Sequence, residues 1–169
     1  MTEISHIQTI AVIGSGQMGA GIAQVAAQSG LQVRLYDLQA PAVDRARDGM
    51  ARSLAKLEAK ARLAAGDDAA TVLARVHFTT VFEELADADF AIEAIVENVA
   101  IKRELFTKLD ALLNPRAILA SNTSSIPITR LCAATKRPDR VVGMHFMNPV
   151  PVMKLVELIR GLPTSDETF

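Results

Sequence analysis

A single cysteine, Cys132, stands in the 169 residues of this chain. No intrachain disulfide can form, and a reducing cytoplasm is the expected compartment. Charge of one sign is also lacking. The formal net charge is −1, which gives no electrostatic basis for binding nucleic acid or an anionic membrane surface. No apolar run approaches the roughly 18 residues that a membrane span requires. The opening Met1-Thr-Glu-Ile-Ser-His has neither the hydrophobic stretch of a signal peptide nor the Arg-rich face of a transit peptide. No His, Cys and carboxylate cluster has metal-ligand spacing, so no metal is expected. Aromatic residues are scarce at 4%, whereas half of the chain is apolar and rich in Ala, Val, Ile and Leu. That composition suits an α/β protein whose parallel strands are covered on both faces, and the length suits one domain.

Apolar periodicity orders the elements. Ile7–Ile13 reads as a buried strand, and Met18, Ile22, Val25 and Ala26 as one face of a helix that Gly30 ends. Leu31–Tyr36 is a second strand. From Pro41 a helical pattern carries Val43, Ala46, Met50, Leu54, Leu57 and Ala61 on one side, long enough to project as an arm over about 41–75. A strand follows near Val76–Thr79, then another over Phe90–Val96. Asn98 caps a helix whose Ile101, Leu105, Leu109 and Leu112 face the core. Ile118–Ser121 is the next strand, and Ile128–Ala133 a short helical turn. The expected fold is α/β, a Rossmann-like doubly wound, mostly parallel sheet with a long helical arm and an antiparallel C-terminal strand pair. The last residues, Thr164-Ser-Asp-Glu-Thr-Phe169, resemble a helix start, from which a further domain is expected.

Gly14-Ser15-Gly16-Gln17-Met18-Gly19 falls between the first strand and the first helix. There a glycine motif has physical meaning: a tight turn, close approach of backbone to a pyrophosphate, and close helix packing. The free N–H groups of the helix start face the phosphates. The second strand ends at Asp37, roughly twenty residues on, where a carboxylate accepts the adenosine ribose hydroxyls. It would repel a 2′-phosphate, and Leu38 and Gln39 supply no cation to hold one, so NAD is expected rather than NADP. A glycine turn in an α/β protein that binds something else, such as S-adenosylmethionine, is the competing reading.

His145 and Glu157 lie at equal distances from Pro151, between the β-rich runs Val141–His145 and Lys154–Ile159. A chain folded back about Pro151 brings them face to face. A carboxylate on one imidazole nitrogen fixes the tautomer and leaves the other nitrogen free to take a proton. The plainer alternative is a His–Glu pair that only holds a hairpin together.

Gly14–Gly19, Glu93-Ala-Ile-Val-Glu-Asn98, Ser121-Asn-Thr-Ser-Ser125 and His145-Phe-Met-Asn-Pro-Val-Pro-Val-Met-Lys-Leu-Val-Glu157 together resemble the NAD-binding domain of 3-hydroxyacyl-CoA dehydrogenases, close to the 3-hydroxybutyryl-CoA enzymes. The resemblance spans essentially the whole chain. It implies an NAD-dependent oxidoreductase that interconverts 3-hydroxyacyl-CoA and 3-ketoacyl-CoA. In that likeness His145 is the general base, Glu157 its orienting carboxylate, Ser124 a hydrogen-bond donor to the substrate oxygen, and Asn122 its neighbour at the same strand end. It also places Glu97, Lys102 and Asn148 near the cofactor, and Ser53 and Lys60 of the arm near coenzyme A. Ser53, Lys56 and Lys60 share one helical stripe by their spacing. The family's C-terminal helical domain completes the pocket and makes a homodimer, so the same partner surface is expected of the full-length protein.

Plainer roles stand beside these. Asn122, Ser124 and Asn148 are all suited to satisfying backbone in turns, Glu97 to capping a helix, and Lys102 to an ordinary solvated position. His6 and His77 carry no expected chemistry, and Cys132 is expected as a small buried hydrophobe. Two other functions compete: a non-catalytic NAD-binding module of the same fold, and a 3-hydroxyisobutyrate-type dehydrogenase. The latter group uses a catalytic lysine on a later helix and lacks the His145…Glu157 hairpin.

Overall fold

The computed structural model describes residues 7–169, so His6 lies outside the described residues. Strands β1 (Thr9–Ile13), β2 (Gln32–Tyr36), β3 (Val76–Thr79), β4 (Phe90–Glu93), β5 (Ile118–Ser121), β6 (Val141–Phe146) and β7 (Val156–Arg160) form one sheet. Its order is β3-β2-β1-β4-β5-β6-β7. All pairings are parallel except β6 with β7. The helices are α1 (Gln17–Gln28), α2 (Ala40–Glu58), α3 (Ala69–Ala74), α4 (Val99–Leu112) and α5 (Ile128–Cys132). Single 3₁₀ turns at Phe82–Leu85 and Pro138–Arg140 are additions that periodicity does not predict.

The continuous apolar run of β1 follows from its place at the centre. Successive side chains point to opposite faces. Ile10 and Val12 enter one core with Ile22 of α1, Met50 and Leu54 of α2 and Val72 of α3. Ala11 and Ile13 enter another with Phe106 and Leu109 of α4 and Leu131 of α5. Helices therefore cover both faces, and strand order reverses between β1 and β4. The crevice outside the carboxyl ends of these two strands is where open α/β sheets bind ligands.

Three local features depart from the periodic reading. The strand expected over Phe90–Val96 stops at Glu93, because the Glu93 carboxylate accepts the Ile95 N–H at 2.8 Å and bends the chain out of the ladder. On α4 the buried face is Lys102, Leu105, Phe106 and Leu109, while Ile101 is 46% exposed. The apolar stripe is thus rotated by one residue, since Lys102 finds buried partners of its own. On α2 Val43, Ala46, Met50 and Leu54 are buried as spacing predicts, but the helix ends at Glu58. Lys60 lies in the turn beyond it, next to Ala61 at φ 51°, so it does not continue the Ser53–Lys56 helical stripe.

Other details follow local chemistry. The Asn98 side chain caps α4 by accepting from Ala100 and Ile101 N–H. Cys132 is fully buried, and burial pushes its thiol up. His77, on β3, pairs with Glu84 at 2.7 Å on the surface. No helix among the described residues is long and apolar enough to cross a membrane.

Candidate active site

The glycine turn is built by sterics. Gly14 has φ +100°, and a Cβ there would lie 2.6 Å from the Ala94 carbonyl oxygen. A Cβ on Gly19 would lie 1.7 Å from the Gly14 carbonyl oxygen, so the third glycine clears the turn's own backbone. A Cβ on Gly16 would meet nothing within 4 Å, which leaves that side of the turn open to a ligand's close approach. Helix α1 starts at Gln17 with no side-chain cap and no acid in its first turn, so its N–H groups and dipole suit an anion. These features fit a dinucleotide's pyrophosphate.

Asp37 follows β2 and holds this turn in place. Its Oδ2 accepts from Ser15 N–H at 2.8 Å and Ser15 Oγ–H at 2.9 Å, and its Oδ1 from Gln39 N–H at 3.1 Å. It borders a cavity of about 820 Å³ lined also by Tyr36, Leu38, Ile95, Ile101 and Leu105. Lys108 lines the same cavity from α4, a cation that inspection of Leu38 and Gln39 alone overlooks. It is paired with Glu104 at 2.7 Å.

A second cavity, of about 330 Å³, gathers residues from five stretches of the chain. Met18, Glu97, Lys102, Asn122, Ser124, His145 and Asn148 all line it. The Asn122 Oδ1 accepts the Phe146 N–H at 2.8 Å, tying the end of β5 to β6. Ser124 is exposed at its edge. The Asn148 Oδ1 accepts from Gln17 Nε2 at 3.0 Å, which joins the hairpin connection to the start of α1. Ser53 and Lys60 line neither cavity.

Beneath this cavity lies a network that the sequence motifs contain but do not explain. Lys102 is 1% exposed and Glu93 0% exposed. The Lys102 ammonium donates to both Glu93 oxygens, at 2.8 and 2.9 Å, and lies 2.9 Å from Glu97 Oε2. Lys102 is therefore not a solvated lysine, and Asn98, not Glu97, caps α4. Ser121 Oγ–H donates to Glu93 at 2.6 Å. Thr123 and Ser125 hydroxyls donate to Glu97. Burial raises the Glu97 carboxyl, but those hydroxyls and the Lys102 ammonium outweigh it and bring it down to about 2. Glu93, Ser121 and Thr123 are the residues that motif reading misses. The available signal was a carboxylate ending an otherwise apolar strand.

The hairpin brings the last pair together. His145 and Glu157 are register partners on β6 and β7, and His145 Nδ1 lies 2.8 Å from Glu157 Oε2. A carboxylate only accepts, so Nδ1 carries the proton and Nε2 is left as an acceptor. The His145 side chain is 23% exposed and that of Glu157 52%. The pair can take up a proton at Nε2 and balance the resulting charge.

A doubly wound sheet with this glycine turn, and a carboxylate closing the second strand upon it, defines a dinucleotide-binding domain of the Rossmann type. Comparison with known proteins narrows the class. The family model described as "3-hydroxyacyl-CoA dehydrogenase, NAD binding domain" matches residues 9–169. A probable 3-hydroxybutyryl-CoA dehydrogenase of Deinococcus radiodurans is 56% identical over 157 residues, covering 93% of this chain and 56% of the relative. The solved (S)-3-hydroxybutyryl-CoA dehydrogenase of Ralstonia eutropha superposes with a TM-score of 0.91 at 47% identity, over 96% of this chain and 57% of that one. That of Escherichia coli K12 gives 0.92 at 47% identity, over 96% and 34%. The chain belongs to the 3-hydroxyacyl-CoA dehydrogenase family and carries its NAD-binding domain. It spans about half the length of the first curated relatives it matches.

Proposed function

We propose that the protein catalyses NAD-dependent interconversion of 3-hydroxyacyl-CoA and 3-ketoacyl-CoA. The observation that carries this is the His145–Glu157 pair, 2.8 Å apart, with His145 on a cavity that Glu97, Asn122 and Ser124 also line. NAD, when bound, supplies the acceptor for the C3 hydride. The chain's residues do the rest. His145 Nε2 removes the proton of the 3-hydroxyl as its oxygen becomes the ketone. Ser124 donates a hydrogen bond to that oxygen, and Glu157 balances the charge arising on the imidazole. Glu97 offers its ionised carboxylate to ribose hydroxyls, and Lys102 holds that carboxylate in place. Gly14–Gly19 and the start of α1 bind the pyrophosphate, while Asp37 takes the adenosine ribose.

A C-terminal helical domain that completes the pocket and forms a homodimer belongs to the same proposal. The exposed apolar residues Val152, Leu155, Leu158 and Leu162, at 72%, 56%, 47% and 91%, are the surface it would cover. A cytoplasmic setting accords with the single thiol. Absorbance at 340 nm with NADH and acetoacetyl-CoA tests the reaction. Loss of NADH with the thioester and not with free keto acids is expected. NADH binding without turnover of any thioester would leave a binding module instead.

Cofactor choice gives a separate prediction. Asp37→Asn should weaken NADH binding roughly tenfold or more, the worth of one charged hydrogen bond. It should leave NADPH binding unchanged or tighter. Titration of NADH fluorescence measures both, and equal NADH affinity in the two proteins would remove Asp37 from the ribose site.

A further inference from the structure

We propose that Thr123 is a positioning residue for the reaction: with Ser121 it closes a ring of side chains that holds the Ser124 hydroxyl at the substrate oxygen. The inference rests on the acyl-CoA reading above.

The ring can be followed from atom to atom. Glu93 Oε2 accepts from Ser121 Oγ–H at 2.6 Å, and Ser121 Oγ accepts from Thr123 N–H at 3.2 Å. The Thr123 hydroxyl donates to Glu97 Oε1. Glu97 Oε2 lies 2.9 Å from the Lys102 ammonium, which donates in turn to Glu93. One closed circuit thus joins β4, the loop after it, α4 and the carboxyl end of β5.

Ser124 hangs from this circuit. Both of its neighbours are fixed to the same carboxylate oxygen, since the Thr123 and Ser125 hydroxyls each donate to Glu97 Oε1. Thr123 Oγ also accepts the Ser125 and Ile126 N–H groups, at 3.3 and 3.0 Å, which curls the chain around it. Thr123 is 4% exposed and Ser121 0%. Ser124, between two anchored positions, is exposed at the edge of the His145 cavity. A local turn needs the threonine oxygen only as an acceptor. Here the hydroxyl proton goes to Glu97 as well, so the turn takes its place from the carboxylate.

That carboxylate then serves both ligands. An ionised carboxylate offers about four lone-pair sites. Thr123, Ser125 and Lys102 engage three at Glu97, which leaves a site for a ribose hydroxyl. The group that meets the cofactor therefore also fixes the group that meets the substrate. Lys102 holds Glu97 without help from Thr123, so loss of Thr123 should reach the substrate side and largely spare the cofactor.

The test is Thr123→Val in the full-length protein, which keeps the shape and removes the hydroxyl, with Thr123→Ser as the conservative variant. Turnover of acetoacetyl-CoA with NADH should fall roughly tenfold or more in Thr123→Val, because a misplacement of about 1 Å can cost a factor of 10². Thr123→Ser should recover most of that loss. The Kd for NADH, read by fluorescence, should change less than about threefold. In a Ser124→Ala background, adding Thr123→Val should lower kcat no further, since residues that act through one another are not additive. Unchanged kcat in Thr123→Val would overturn the proposal, as would a full further loss on top of Ser124→Ala or an NADH Kd raised as much as kcat falls. Should Thr123→Val not fold, Ser121→Ala opens the ring at another point and is judged in the same way. If the wild type turns over no thioester, the acyl-CoA reading fails and amide hydrogen exchange decides the ring. Faster exchange over residues 122–126 in Thr123→Val then upholds it, and unchanged exchange overturns it.

Discussion

Replacing His145 with Gln is expected to lower turnover of 3-hydroxyacyl-CoA by a factor of about 10²–10⁴, the usual contribution of a positioned general base, while NADH affinity hardly changes. Glutamine keeps a polar side chain of similar reach and can still donate toward Glu157 Oε2, now 2.8 Å from the imidazole Nδ1. It cannot accept and carry a proton. The loss should therefore fall on kcat more than on KM. Glu157→Gln should give a milder loss, because that side chain is 52% exposed and solvent screens what it contributes. Pre-steady-state and steady-state rates measure these effects. A His145→Gln protein with near-wild-type turnover would take His145 out of the mechanism.

The parts of this molecule that were legible from residues alone are those governed by local pattern. Short strand-like runs placed β5 at its observed bounds, Ile118–Ser121, and β3 near Val76–Thr79, where it lies. Equal spacing about Pro151 anticipated the His145↔Glu157 register, since a hairpin pairs residues equidistant from its turn. The Gly14 and Gly19 positions were legible because only glycine fits them. What escaped was decided by contacts distant in sequence. Glu93 looked like a strand residue, and its role depends on Lys102 from α4 and Ser121 from β5 arriving beside it. With that ion pair buried, α4 turns Lys102 inward and Ile101 outward, which no apolar periodicity would choose. The stripe through Lys60 departs from expectation for a different reason. A stripe counted through an uninterrupted helix loses meaning once the helix ends at Glu58.

The buried charge network leads to the second large expected effect. Lys102→Met should destabilise the protein by about 3–5 kcal/mol, the usual consequence of removing one partner from a buried ion pair. Methionine matches the volume of the lysine stem, so the loss is electrostatic: Glu93, at 0% exposure, is left facing Glu97 without a cation between them. For a chain of this size the melting temperature should fall by roughly 6–20 °C. Adding Glu93→Gln to Lys102→Met should recover part of that, because the buried anion is then gone. A double-mutant cycle measures this coupling. The pH dependence has a defined sign. Glu97 is held at about 2 in the folded protein, below its ordinary range. Its contribution is therefore present above about pH 4.5 and fades as pH falls toward 2. Lys102 is one cause of that depression, so the stability gap between wild type and Lys102→Met should narrow over the same interval. Thermal melts at pH 7, 5 and 3 provide the measurement. A gap under about 1 kcal/mol at pH 7, or one that widens on acidification, would show that the network does not act as a buried ion pair. The consequence reaches the cofactor too: Glu97 would no longer be held toward the cavity it lines, and the Kd for NADH should rise along with the instability.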